Sequence, residues 1–317
     1  MGIAKAKRGT ALLVAAVVGL GIAAGVDALR GDGDPAGGSA SSKSDQTSTA
    51  SAAQKLASRQ ITGVLHFTVR VRPGQCALRS LALPGLEATS AVDVGSCRIA
   101  TSLGGRVAVG GPCPGGDISV LGPAQPVLLK ACAPAWKPDG TLTFVRRDRV
   151  IEVVKGCTGT APADCLRRTS MRTGPGDAIR ELAWIDDERL AMLVDGPGSI
   201  ESVFVSEAGG RIASRRSQRP ELSFRDLSNL RPFGRNRVMV RTGPPPGRVF
   251  LTIGEGGIAS AFPRFLADGQ ALAVSPDGAW VASTRAGVVH IYRLGNRRPV
   301  DPIRLAIDAV DLGWGAG

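Results

Sequence analysis

The chain carries few residues with which to do chemistry: two histidines, His66 and His290, and six cysteines, Cys76, Cys97, Cys113, Cys132, Cys157 and Cys165, among 317 residues. His66 stands in VLHFTV and His290 in VVHIYRL, alternating runs in which a histidine reads as a strand-face residue rather than a general base. Gly111-Pro-Cys113-Pro-Gly115 has the spacing of a nucleophile elbow. A catalytic cysteine also needs a lowered thiol pKa and a nearby base, and so small a histidine supply favours a disulfide instead. No cysteine lies in a CxxC pair, which leaves zinc without closely spaced ligands. Asp186-Asp187-Glu188 occupies a turn between apolar runs, where solvated carboxylates are the default reading. GxSxG, HExxH, P-loop and EF-hand patterns are absent. The inventory predicts no catalytic residue, no metal site and no cofactor.

The amino-terminal residues predict where the rest of the chain resides. Lys5, Lys7 and Arg8 precede an uncharged run from Gly9 to Val26, which as a helix spans roughly 27 Å, close to one bilayer core. A positive flank stays in the cytoplasm, so the remainder is directed outward. Residues 1–8 then read as a cytoplasmic basic tail and 9–29 as a transmembrane anchor, or as a signal sequence cleaved to leave Leu29 at the mature terminus. Both readings place an even number of cysteines in an oxidising compartment, which favours disulfides. Residues 30–59 are rich in Gly, Ser, Ala and Asp and read as a flexible linker.

From residue 60 to 317 the apolar pattern is short and alternating, broken by Gly, Pro and Asp turns, which predicts one all-β domain. Ala133-Pro-Ala-Trp136-Lys-Pro-Asp139-Gly140 precedes TLTFV, and Ala271-Leu-Ala-Val274-Ser-Pro-Asp277-Gly278 precedes AWVAS. Each reads as strand, tight turn, strand. LAWIDDERLAML (Leu182 to Leu193) keeps the Trp and an acidic turn without the glycine. These residues resemble the Pro-Asp-Gly repeat of TolB-like β-propellers, relatives of the WD-repeat family, in which the turn joins the innermost strand of a blade to the next.

With that turn as a ruler, second strands begin at Arg106, Thr141, Arg189, Arg237 and Ala279, separated by 35, 48, 48 and 42 residues, which are blade-sized periods. Ala309-Val-Asp-Leu-Gly-Trp314 looks like a further innermost strand, and the strands from Gly63 and Cys76 lack one of their own. Pairing the two ends gives a six-bladed β-propeller closed by its termini, with no open sheet edge. Trp136, Trp184 and Trp314 share one register and read as repeated packing between blades. In this scheme Cys76–Cys97 and Cys113–Cys132 bridge neighbouring blades, and Cys157–Cys165 closes a short loop.

Charge is the uneven feature. Lys+Arg number 39 against 27 Asp+Glu, and Arg211 to Arg248 holds ten arginines against Glu221 and Asp226, a local +8. SRRSQRPE reads as a loop, exposing Arg215, Arg216 and Arg219 as a patch for an anionic envelope partner. An exported location disfavours nucleic acid. The function class that follows is a non-catalytic module that contacts a protein or ligand at the cell envelope. The alternative is a propeller that uses channel carboxylates for a cation or a reaction; it requires an acidic cluster with a histidine at the channel mouth.

Overall fold

In a computed structural model of the chain, the described residues are 42–114, 116–121, 127–128, 130–154, 165–171, 177–196, 200–207, 212–216, 227–233, 237–242, 249–254, 257–261, 271–294 and 301–317. The expected anchor, residues 9–29, lies outside them. Among the described residues no helix is long and apolar enough to cross a membrane. The chain divides into Met1–Ser48, of which residues 42–48 are described and helical, and Thr49–Gly317, which carries every described strand.

The composition of residues 30–59 misleads over its second half. A helix, α1, runs over Ser42–Ser58. Ala52 and Leu56, four residues apart and so on one face, are buried together with Ile61 against the first and last sheets. Three apolar groups at the right spacing suffice when a preformed surface receives them. The helix stops where Gln60 turns left-handed (φ 55), which lets the Gln60 and Ile61 N–H groups donate to the Ala57 and Leu56 carbonyls at 3.0 Å each.

All else is sheet. The first sheet begins with the hairpin of β1 (Gly63–Arg72) and β2 (Gln75–Leu83), turned by Pro73 and Gly74 (φ 77), with β3 (Glu87–Ala88) and β4 (Val92–Val94) against β2. The second holds β5 (Ile99–Thr101), β6 (Val107–Val109), β7 (Ile118–Val120) and β8 (Val127–Leu128). The third holds β9 (Cys132–Trp136), β10 (Leu142–Arg146), β11 (Arg149–Val153) and β12 (Leu166–Arg168). β13 (Ala178–Trp184), β14 (Arg189–Gly196), β15 (Ile200–Glu207) and β16 (Ile212–Arg216) form the fourth. β17 (Ser228–Pro232), β18 (Val238–Thr242), β19 (Val249–Gly254) and β20 (Gly257–Ala261) form the fifth. The sixth is β21 (Leu272–Val274), β22 (Trp280–Arg285), β23 (Val288–Arg293) and β24 (Ile303–Leu305). β25 (Asp311–Gly315) returns to the first sheet and pairs antiparallel with β1, Leu65 opposite Trp314.

The first strands of sheets two to six touch in succession, β5 with β9, β9 with β13, β13 with β17 and β17 with β21; β25 touches both β21 and β5. The buried apolar residues form clusters at the junctions of neighbouring sheets, for example Ala100, Val120, Trp136 and Phe144 between the second and third. Packing of sheet face on sheet face is the propeller arrangement. β25 can lie close to β5 because Gly313 and Gly315 lack side chains: a Cβ on either would collide with Thr101 or Gly105.

The Asp-Gly turns form as read. Gly140 and Gly278 adopt φ 83 and 71, and the Asp139 and Asp277 carboxylates accept from the Thr141 and Ala279 N–H groups at 2.9 and 3.0 Å. In the fourth sheet, where the turn has no glycine, Asp186 secures it, accepting from the Glu188 and Arg189 N–H groups at 2.9 and 2.7 Å and from the Arg189 guanidinium. Partial burial opposes ionisation there, but these donors hold the Asp186 carboxyl below its ordinary pKa.

Candidate functional site: the central channel

Because the six first strands all run in one sense around the middle, residues at their starts share one end of a channel and residues at their ends share the other. The two ends differ in chemistry. Toward the starts, Arg98 forms an ion pair with Glu181 at 2.6 Å, and Arg231, which lies late in β17 and reaches both sides, forms one with Asp311 at 2.5 Å. Arg231 also donates to the Ile99 carbonyl at 2.6 Å. The carboxylates are held by backbone as well, Glu181 by the Leu230 N–H at 2.8 Å and Asp311 by the Ile99 N–H at 2.9 Å. Both pairs skip a sheet, joining the second to the fourth and the fifth to the first. They brace the middle across its width rather than between neighbours. A small cavity of about 20 Å³ lies on this side, beside Gly110, Gly111 and Pro112.

Toward the strand ends the channel widens to a cavity of about 150 Å³ whose wall takes residues from all six first strands. Trp136, Trp184 and Trp314 contribute to it. Their ring N–H groups are satisfied elsewhere: Trp136 donates to the Ala100 carbonyl at 3.0 Å, Trp184 to Thr143 Oγ1 at 2.8 Å and Trp314 to the Thr62 carbonyl at 3.2 Å. The first two bonds join a sheet to the one before it, so the tryptophans do pack between sheets. Arg106 and Lys137 stand over the Trp136 and Trp184 rings, 4.6 and 4.9 Å from the centroids.

Among the described residues no three His, Cys, Asp or Glu side chains cluster, and the two channel carboxylates are already committed to arginines. Both histidines sit away from the channel wall. His66, on β1, is buried and bonded through Nδ1 to Ser80 Oγ at 2.7 Å, while Nε2 has no hydrogen-bond partner. Burial pushes its pKa down from 6.5 to about 4. The pKa of His290, on β23, is lowered by burial and then by nearby Arg304.

The His66 shift carries a stability consequence. A histidine depressed in the folded state leaves the unfolded chain binding the extra proton between the two pKa values. Its contribution is therefore whole above pH 6.5 and lost as pH falls toward 4, by up to roughly 3 kcal/mol. Urea denaturation across that window should show the decline, and His66→Gln should flatten it relative to the native sequence. Equal slopes for the two proteins would show that His66 protonates freely in the folded state.

The cysteines lie where the repeat puts them. Cys76, on β2, is joined to Cys97, just ahead of β5, and Cys113, between β6 and β7, to Cys132 at the start of β9. Each bridge ties one sheet to the next. Cys165 is disulfide-bonded; Cys157 lies outside the described residues. The expected loop exposing Arg215, Arg216 and Arg219 is in part strand. Arg215 and Arg216 end β16, opposite Phe204 and Val203, because Ile212-Ala-Ser continues the alternation of the sheet up to them. Arg219 lies outside the described residues.

Sequence reading missed the four-residue brace. Three of the four left a signal: Glu181 and Asp311 stand three residues before Trp184 and Trp314, and Arg98 three before Thr101, whereas Arg231 falls outside that register.

No family model matches the sequence, and no curated protein does either. Solved structures do. The Dos1 propeller aligns over 75% of this chain and 71% of its own at 10% identity, TM-score 0.43. A putative 6-phosphogluconolactonase from Bacteroides uniformis aligns over 80% and 85% at 13% identity, TM-score 0.44. The Cps50 (Swd1) β-propeller domain of Myceliophteria thermophila aligns over 80% and 90% at 12% identity, TM-score 0.50. At such identity the last of these bears on fold alone, and with the sheet arrangement it makes this chain an all-β protein of propeller architecture.

Proposed function

We propose that the chain is a six-bladed, TolB-like propeller closed by its own ends, held outside the cytoplasm by its amino-terminal segment, and acting there as a non-catalytic interaction module. The observation that carries the non-catalytic reading is the neutralised channel: Glu181 and Asp311 are spent on Arg98 and Arg231 instead of facing a ligand. The β1–β25 pairing supports closure. Disulfides between successive sheets support an oxidising compartment. The arginine-rich stretch around Arg215, Arg216 and Arg219 supports an anionic contact on the partner or the envelope surface.

Mild crosslinking of the full-length protein on intact cells tests the proposal. The expected result is a discrete crosslinked species, reduced several-fold when Arg215, Arg216 and Arg219 are replaced together by Ser. A chain that crosslinks to nothing beyond background would contradict the module reading.

A further inference from the structure

The turns after the first strands fix which residues share a level in the wide cavity. The Ser102, Lys137 and Ile185 N–H groups donate in the same way to the carbonyls of Arg106, Thr141 and Arg189, at 2.9, 2.8 and 2.9 Å. These three residues are therefore equivalent, and the residues before them, Thr101, Trp136 and Trp184, form the level below. All six belong to the lining. Where β9 and β13 carry tryptophan, β5 carries a hydroxyl, and Thr101 Oγ1 is buried with no hydrogen-bond partner. Next to it Ser102 Oγ accepts from the Arg106 N–H at 2.9 Å, and its own proton meets no acceptor among the described residues. Lys137 adds a charge. Its Nζ stands 3.8 Å from Glu152 Oε1, beyond hydrogen-bond reach, while Arg167 donates twice to the other Glu152 oxygen, at 2.6 and 3.2 Å. Two cations thus share one carboxylate, and one positive charge is left over. Arg231, also in the lining, adds none because Asp311 answers it. Among the described residues no carboxylate lines the cavity. Asp139 and Asp277 on the surrounding turns accept from turn N–H groups, and Asp186 is held by Arg189.

We propose that the wide end of the channel binds a small organic monoanion, a carboxylate on a compact apolar body about the size of one aromatic ring. One unmatched cation and two hydroxyl donors without acceptors specify a single negative charge. A hydroxyl left unbonded in the free protein regains on binding what its burial cost. The apolar body meets Trp136, Trp184 and Trp314, whose ring N–H groups are bonded elsewhere and leave apolar surface to the cavity. A volume of about 150 Å³ takes one ring and no run of peptide. The cavity is half open, so the carboxylate keeps part of its hydration instead of being stranded as in a sealed core. This site goes beyond the interaction-module reading, which the crosslinking result decides by itself.

Isothermal titration calorimetry of the purified full-length protein with benzoate, and with benzamide as its uncharged isostere, tests the site. Benzoate should bind saturably, one per chain, with a Kd of about 1 mM or tighter, and benzamide at least about tenfold more weakly. Lys137→Gln keeps the stem over Trp184 and removes the charge. Its benzoate affinity should fall at least about tenfold, with far-UV circular dichroism unchanged. Should Lys137→Gln disturb the fold, Thr101→Val serves instead: it preserves the shape, removes the hydroxyl and should weaken benzoate several-fold. No saturable benzoate binding, benzamide binding as tightly as benzoate, or undiminished benzoate binding in the folded variant would each overturn the proposal.

Discussion

Replacing Arg231 by Met should destabilise the protein by about 3 kcal/mol, because it leaves the Asp311 carboxylate buried without its counter-charge. Asp311 has only 6% of its side chain exposed and Arg231 18%, so solvent screens the pair weakly. Met fills a comparable volume, which separates the charge effect from lost packing. The loss is smaller than for a carboxylate with no other donor, since the Ile99 and Leu312 N–H groups still reach Asp311 at 2.9 Å. Asp311→Asn added to Arg231→Met should recover part of the loss, because an amide oxygen can keep the Ile99 bond without carrying a charge. Urea denaturation of the two single variants and the double variant gives the coupling, expected at about 1 kcal/mol or more. Strict additivity would mean that Arg231 acts through its Ile99 contact and not through Asp311.

The second large effect belongs to the disulfides. Cys76–Cys97 and Cys113–Cys132 close loops with sequence separations of 21 and 19 residues. Chain entropy assigns each about 3 kcal/mol, all of it from restricting the unfolded state. Cys76→Ser with Cys97→Ser should cost that amount, and removing the second pair should cost a similar increment. Together they approach the whole stability of an ordinary domain, so the protein lacking both should be largely unfolded at 37 °C by circular dichroism. A change under 1 kcal/mol for either pair would show that the sheets hold their neighbours without covalent help. The second bridge has a local role too, since the Cys113 N–H donates to the Arg180 carbonyl at 3.0 Å and so carries the loop over to the fourth sheet beside Glu181.

Local signals predicted the strands well. The Asp-Gly turns announced themselves because a left-handed glycine and an Asp side chain settle that geometry within four residues. The return of β25 to β1 was also legible, because two incomplete strand sets at opposite ends of a repeat have one economical solution. What the sequence hid was tertiary. Helix α1 rests on two buried side chains in an otherwise polar stretch, a signal too weak for composition to register. The brace of Arg98, Glu181, Arg231 and Asp311 joins residues up to 83 positions apart, so the shared register flags three of the charges but not which of them pair. Asp186 shows the intermediate case: its carboxylate secures a turn that lacks the glycine, and only the acidic turn flagged it.

The proposed closure of the ring by its own ends rests on the β1–β25 pairing. Native-state hydrogen exchange, read on peptides covering residues 309–317 and 178–196, tests it most directly. A strand locked between β1 and β5 opens only with the rest of the ring, so the amides of β25 should exchange as slowly as those of β13 and β14. Exchange of β25 at the rate of an exposed loop, while β13 and β14 stay protected, would contradict closure by the β1–β25 pair.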